Sequence, residues 1–137
     1  MAAFFGKEMF ALVIHESAED YLESILMLQE RLGMVRSIDI CNELGHSKPS
    51  VSVAMKKLRE NGYINMAPDG NITLNESGMK IAASIYKRHK TITRMFILLG
   101  VSEEAAKTDA CKVEHDLCDE TFARICEFVS REEERQK

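Results

Sequence analysis

The sequence has little of what interrupts helices or builds other classes of protein. Only 2 prolines and 7 glycines occur in 137 residues, so long helices can run unbroken. No stretch approaches the roughly 18–20 consecutive apolar residues that a membrane span needs. The 4 cysteines (Cys41, Cys111, Cys118 and Cys126) form no CxxC pair and no dense framework, which argues against a disulfide scaffold and for reduced thiols. The opening MAAFFGKEMFALVIHES lacks the basic leader region and small-residue cleavage site of a secretory signal, so the expected location is cytoplasmic, with no membrane partner. No nucleophile–base set and no phosphate-cradling glycine loop occurs, so an enzyme is not expected.

What is present describes a soluble domain: 45% apolar and 29% charged residues, in long periodic runs. The net charge of -4 weighs against nucleic acid until it is divided along the chain. Residues 1–33 carry 2 basic and 6 acidic groups, and residues 102–137 carry 6 and 11. Between these acidic ends, residues 34–63 carry 5 basic and 3 acidic groups, and residues 64–101 carry 5 and 2. The middle is basic, and for phosphate contacts the local field counts for more than the total.

That basic middle contains IDICNELGHSKPSVSVAMKKLRENGY, residues 38–63. Its first half predicts a short helix with apolar Ile38, Ile40, Cys41 and Leu44, closed by Gly45 as a left-handed cap. Ser47 offers an N-cap oxygen, and Pro49 falls in the first turn, where its missing N–H does no harm. Val51, Ala54, Met55 and Leu58 then make one buried helical face. The opposite face carries Lys48, Ser50, Ser52, Lys56 and Lys57. A short helix, a glycine turn and a second helix with a small, basic outer face form a helix-turn-helix pattern.

The candidate contacts to double-stranded DNA are Ser47, Lys48, Pro49, Ser50, Ser52, Lys56 and Lys57, with Arg36 before the motif and Asn71 beyond it. The recognition helix is read as lacking arginine. Bidentate guanine readout is then closed to it, and specificity falls to Lys, Ser, apolar contacts and DNA shape.

Around this motif the chain reads as follows. Ser17 to Arg31 predicts a helix capped by Ser17 with Asp20, carrying Tyr21, Leu22, Ile25, Leu26 and Leu28 on its apolar face. The segment before it places Phe4, Phe5, Phe10, Leu12 and Ile14 for docking on the body or on a partner subunit. After Gly62, two short strands flank Pro68-Asp69-Gly70, a turn sequence, and together make the hairpin of a winged helix. Asn75 is expected to cap a helix of about 24 residues, about 36 Å long, that leads out of the winged domain. Ser102 caps a further helix to about Leu117. A last helix runs from Asp119 to about Val129, followed by a frayed charged tail.

The run SAEDYLESILML, the winged helix, YKRHK and DACKVEHDLCDE occur in one order, and this ordered set resembles the DtxR/MntR family of metal-dependent transcriptional repressors over residues 17–129. The resemblance implies a mainly α fold, with an N-terminal winged helix-turn-helix followed by a helical metal-binding and dimerisation domain. The implied divisions are an N-terminal extension at 1–16, the DNA-binding domain at 17–75, and the linking helix with the metal-binding and dimerisation domain at 76–137. It also implies a homodimer, with Phe122, Ile125, Cys126, Phe128 and Val129 at the contact.

Matched position by position, the family pattern implies metal ligands at Asp20, Glu23, His89, Cys111, Glu114 and His115. The spacing accords with this, since Asp20 and Glu23 lie at i, i+3 and Cys111, Glu114 and His115 at i, i+3, i+4, each set on one helix face. Asp20 and Glu23 resemble the manganese-type members, and Cys111 the iron-type ones. Thr93 and Lys107 stand where the iron-type ancillary site needs ligands, and neither can serve. Carboxylates suit Mn²⁺ and a thiolate shifts preference toward Fe²⁺, Co²⁺ or Zn²⁺, so the expected metal is Fe²⁺ or Mn²⁺, with Zn²⁺, Co²⁺ or Ni²⁺ as substitutes in vitro.

Singly, each ligand has an ordinary reading: Asp20 a cap, Glu23 a solvated helix residue, His89 a surface histidine in a basic run, Cys111 a small apolar side chain, Glu114 and His115 a surface pair. The ordered set reverses that balance. Three alternatives stand beside it: a zinc cluster of Cys111, His115 and Cys118; a winged-helix regulator sensing an organic ligand or oxidation without metal; and a structural zinc protein without DNA affinity.

Overall fold

The computed structural model describes the backbone from Ala2 and side chains from Glu16 to Lys137. Among the described residues the order is α1 (Ala2–Leu32), α2 (Ser37–Leu44), α3 (Lys48–Glu60), β1 (Ile64–Met66), β2 (Ile72–Leu74), α4 (Glu76–Leu98), α5 (Glu103–Val113) and α6 (Asp119–Arg135). The chain divides into two compact units, Met1–Ala83 and Ser84–Lys137. No helix among the described residues is long and apolar enough to cross a membrane.

The first unit is a winged helix-turn-helix. Tyr21, Leu22, Ile25 and Leu28 of α1 meet Ile40 and Cys41 of α2, Val51, Met55 and Leu58 of α3, and Ile64 and Ile72 of the hairpin in one core. Nine of the side chains sealed in this core, from Leu22 to Ile72, expose 1% or less of their surface, so truncating any one leaves a cavity, at about 2–5 kcal/mol for Leu, Ile or Met to Ala. Ile38, expected on the inward face of α2, is 46% exposed, because α2 turns Ile40 and Cys41 to the core instead.

The turn between α2 and α3 forms as the sequence dictates. Gly45 takes a left-handed conformation (φ 68°), and its N–H bonds the Cys41 carbonyl. The Ser47 hydroxyl accepts from the Ser50 N–H at 3.3 Å. Helix α3 continues to Glu60 and therefore includes Arg59 in its last turn, contrary to the expectation of a recognition helix without arginine. In the wing, Ile64 pairs with Leu74, Asn65 with Thr73 and Met66 with Ile72, antiparallel. Gly70 N–H bonds the Ala67 carbonyl at 2.8 Å, closing the turn. The hairpin is tied to the α1–α2 link, since Ile72 N–H donates to the Val35 carbonyl at 2.7 Å.

Several boundaries differ from the sequence reading. Helix α1 begins at Ala2, so Ser17 lies inside it and cannot cap it; the lead-in AAFFGKEMFALVIHE has no proline to stop a helix. The side chains of Phe4, Phe5, Phe10, Leu12 and Ile14, read as a docking segment, lie outside the described residues. Asn75 accepts the first bond of α4 through its carbonyl, from Met79 N–H at 2.8 Å. Its side chain turns to the hairpin, accepting from Asn65 Nδ2 and donating to the Gly62 carbonyl. Gly78, one turn into α4, lies against the Tyr63 backbone so closely that a Cβ would stand 2.2 Å from the Tyr63 carbonyl oxygen.

In the second unit, Ser102 caps α5 as expected, accepting from Ala105 N–H at 3.3 Å. Helix α5 stops at Val113 rather than Leu117, and α6 continues to Arg135 through the tail read as frayed. Glu and Arg are good helix formers, and Arg94 of α4 holds Glu133 at 2.7 Å.

Candidate metal centre

Within the second unit, α4 turns Ile85, His89, Ile92 and Thr93 inward, all 8% exposed or less. His89 thus occupies a position of the apolar stripe, three or four residues from two buried isoleucines. That spacing was readable, although the basic run around His89 suggested a surface side chain. From α5, Cys111 and Glu114 come at i, i+3, and Glu114 is completely buried at the helix end.

The ligand atoms of His89, Cys111 and Glu114 all lie within 4.8 Å of one another. His89 Nδ1 is 3.0 Å from Glu114 Oε2 and 3.6 Å from Cys111 Sγ. His115 Nε2 stands 3.6 Å from Glu114 Oε1. The hydrogen bonds to Cys111 and to the Glu114 carboxylate, opposed by burial, push the His89 imidazole up to about 10, so it is protonated at neutral pH.

One ring proton cannot satisfy both a thiol and a carboxylate. Glu114 Oε1 has no hydrogen-bond partner among the described residues. A buried carboxylate oxygen in that state is costly, on the order of 1–3 kcal/mol, unless a cation meets it. The clustered donors are an imidazole, a thiol and a carboxylate, with Cys111 exposed to solvent, and the His115 imidazole stands beside the other carboxylate oxygen. This set fits a divalent transition ion.

A residue the sequence reading missed organises this centre. Arg88 Nη1 donates to the Glu114 carbonyl at 3.1 Å and to the Leu117 carbonyl at 2.6 Å, and Nη2 to Asp119 Oδ1 at 2.8 Å. Its guanidinium also lies 5.0 Å from the centre of the Phe122 ring. Two carbonyls of the segment that follows α5 are thereby satisfied, and the turn carrying Glu114 and His115 is fixed to α4. No periodicity in the sequence announces this role.

Asp20 and Glu23 belong to α1, in the first unit, a turn apart. Glu23 is buried at 6% exposure, contrary to its reading as a solvated helix residue. Lys107 pairs with Glu103 at 3.0 Å on the surface of α5. The alternative cluster of Cys111, His115 and Cys118 assumed a helix through all three, whereas α5 ends at Val113 and Cys118 is the N-cap residue before α6, with its Sγ 3.4 Å from Thr121 Oγ1. No cluster of metal-ligating atoms among the described residues includes Cys118.

The proposed DNA contacts lie on the first unit. Lys48, Pro49, Ser50, Ser52, Lys56 and Lys57 are exposed on α3, and Arg36 is exposed at the start of α2. The Ser47 hydroxyl also donates to Ser50 Oγ at 2.9 Å. Asn71 has structural work, since its Oδ1 accepts from Val35 N–H at 3.3 Å, while its Nδ2 is the group able to donate to another partner. Val53, missed as a surface residue, is 55% exposed on the same helix.

Residues 14–72 match the N-terminal DNA binding domain of the iron dependent repressors, and residues 75–136 their metal binding and dimerisation domain. An uncharacterised HTH-type transcriptional regulator of Methanocaldococcus jannaschii is 37% identical over 119 residues, covering 85% of this chain and 94% of that protein. The transcriptional regulator MntR of Salmonella typhimurium is 34% identical over 116 residues, covering 85% of this chain and 74% of that protein. A manganese-dependent transcriptional repressor solved with manganese superposes with a TM-score of 0.76 at 28% identity, covering 82% of this chain and 52% of that one. The chain thus spans about half the length of that solved repressor. Two domains matched in order over nearly the whole chain favour a metal-responsive regulator over one sensing an organic ligand or oxidation, and over an enzyme: the chain belongs to the iron-dependent repressor family of transcriptional regulators.

Proposed function

We propose that the chain is a homodimeric, cytoplasmic repressor that binds double-stranded DNA at a two-fold operator when Fe²⁺ or Mn²⁺ is bound. The observation that carries this is Glu114 Oε1, a buried carboxylate oxygen without a hydrogen bond, beside His89, Cys111 and His115. In this reading those four residues hold the ion, and Asp20 and Glu23 are the ligands supplied by α1. The domains follow the division at 17–75 and 76–137, with 1–16 as an extension.

A bound cation would supply positive charge to the Glu114 carboxylate and the Cys111 thiol, taking the place of the proton that His89 otherwise holds between them. Moving a population from 1:99 to 99:1 takes about 5.5 kcal/mol of differential binding, within reach of a multidentate site. The dimer would set two α3 helices about one DNA turn (~34–36 Å) apart. Lys48, Lys56, Lys57 and Arg36 then meet phosphate or base edges, with Ser47, Pro49, Ser50, Ser52 and the Nδ2 of Asn71 beside them. In this reading Ile125 and Phe128 belong to the dimer contact, with Phe128 36% exposed, whereas Val129, expected there too, is buried within its own chain at 7%.

The test is anaerobic binding of the full chain to DNA upstream of its own gene, in chelator and with Mn²⁺, Fe²⁺ or Zn²⁺. Binding that requires metal and is lost in His89→Ala is the expected result. Equal binding in chelator would sink the gating and return the metal-free regulator.

A further inference from the structure

The outer face of α3 is unusual in what it offers to a base edge. Between Lys48 and Lys57 it carries no Arg, Asn or Gln, the side chains that read guanine or adenine with two hydrogen bonds. Arg59 lies in the last turn, beyond this stretch. The Ser47 and Ser50 hydroxyls are bonded to each other at 2.9 Å, so part of their hydrogen-bonding capacity is already used. What remains prominent is apolar. Val53 is 55% exposed, and Pro49, four residues earlier and so on the same stripe, is exposed as well.

A single exposed valine is ordinary. Here, though, a β-branched residue with modest helix propensity faces solvent in the middle of a helix, next to a second apolar residue and between polar neighbours. Ser50 stands on the same side at i−3, and Lys56 and Lys57 at i+3 and i+4, which places cations beside the apolar stripe. That combination suits a duplex groove, with cations for phosphate and apolar carbon for the one apolar group a base pair presents there, the thymine 5-methyl.

We infer that Val53, with Pro49 beside it, is a specificity-determining residue that reads thymine 5-methyl groups in the major groove. This rests on the DNA-binding reading above.

The experiment selects a preferred duplex from a randomised pool with the full chain and Mn²⁺, then replaces each thymine of one half-site, in turn, by deoxyuridine. Only the methyl group is removed. At one or two positions the loss should weaken binding about fourfold, the factor that burial of one methyl or methylene group supplies. Val53→Ala, a substitution at an exposed site, should bind the thymine and deoxyuridine duplexes equally. Equal affinity of the unaltered chain for every deoxyuridine duplex overturns the inference while leaving DNA binding intact, and so does an unchanged methyl effect in Val53→Ala. Failure of the pool to yield any metal-dependent binder overturns the DNA-binding reading, and the inference with it.

Discussion

Replacing Arg88 by Met should lower Mn²⁺ affinity without unfolding the chain. The side chain makes three hydrogen bonds and an aromatic contact, and these differ greatly in worth. Its ion pair with Asp119 ends on a fully exposed carboxylate, so solvent screens it and it is the weakest of these contacts. The two bonds to the Glu114 and Leu117 carbonyls are charge-assisted and better covered, each worth about 1.5–3 kcal/mol before relaxation. The Phe122 contact adds about 0.5–2 kcal/mol. The carbonyl bonds dominate, and they hold the turn that carries Glu114 and His115. Loss of a group that orients ligands typically reduces metal affinity about 10–100-fold.

Calorimetric titration with Mn²⁺, accompanied by circular dichroism to verify helix content, reads this directly. Asp119→Asn should change affinity less than about threefold, consistent with an exposed pair of at most modest worth. Arg88→Lys should behave more like Arg88→Met, because a single ammonium cannot serve both carbonyls and the carboxylate. A folded Arg88→Met protein with unchanged Mn²⁺ affinity would refute the argument. So would Asp119→Asn proving as harmful as Arg88→Met.

Gly78→Ala should destabilise the chain by about 1–3 kcal/mol in urea denaturation even though alanine is the better helix former, because the Tyr63 backbone lies where the Cβ would go; a stabilised variant would show that the hairpin yields easily. Tyr21→Phe removes a 2.9 Å hydrogen bond to His46 Nδ1 and should cost about 1 kcal/mol in the same assay, whereas Tyr21→Ala should cost about 3 or more; an unchanged stability in Tyr21→Phe would make the bond negligible, and equal losses would deny the ring its share in packing. Because hydrogen bonds to Cys111 and Glu114 keep His89 protonated up to about 10, ligation through its Nδ1 must expel that proton. Metal affinity should therefore rise with pH through the neutral range, and calorimetry in buffers of different ionisation enthalpy should reveal the released proton; the same heat in every buffer would contradict it. The Thr121 hydroxyl and backbone amide lower the Cys118 thiol, so its alkylation should begin at lower pH than for an ordinary thiol, and Thr121→Val should move the profile upward; an unmoved profile would remove Thr121 as the cause.

The helix-turn-helix was legible because its signals are local. Gly45 accommodates a left-handed turn, the Ser47 oxygen reaches an N–H three residues on, and Val51, Met55 and Leu58 share a face by the 3.6-residue period. The hairpin turn at Pro68-Asp69-Gly70 was legible for the same reason. The ligand residues became a set only through the resemblance to a family, since spacing relates Cys111 to Glu114 but carries no distance from either to His89. Helix ends were misjudged where a distant partner decides them, as at Val113, whose following turn is held by Arg88, and at the tail, where Arg94 meets Glu133.

By itself, the sequence determined which segments are helical, where the recognition turn falls and which donor types are available, because these follow from neighbours within about four positions. Only the tertiary structure decided that Glu23 and Glu114 are buried, that Gly78 has no room for a Cβ, and that Arg88 fixes the ligand turn. Burial and close approach belong to pairs of segments far apart in the chain, and no local pattern encodes the distance between them.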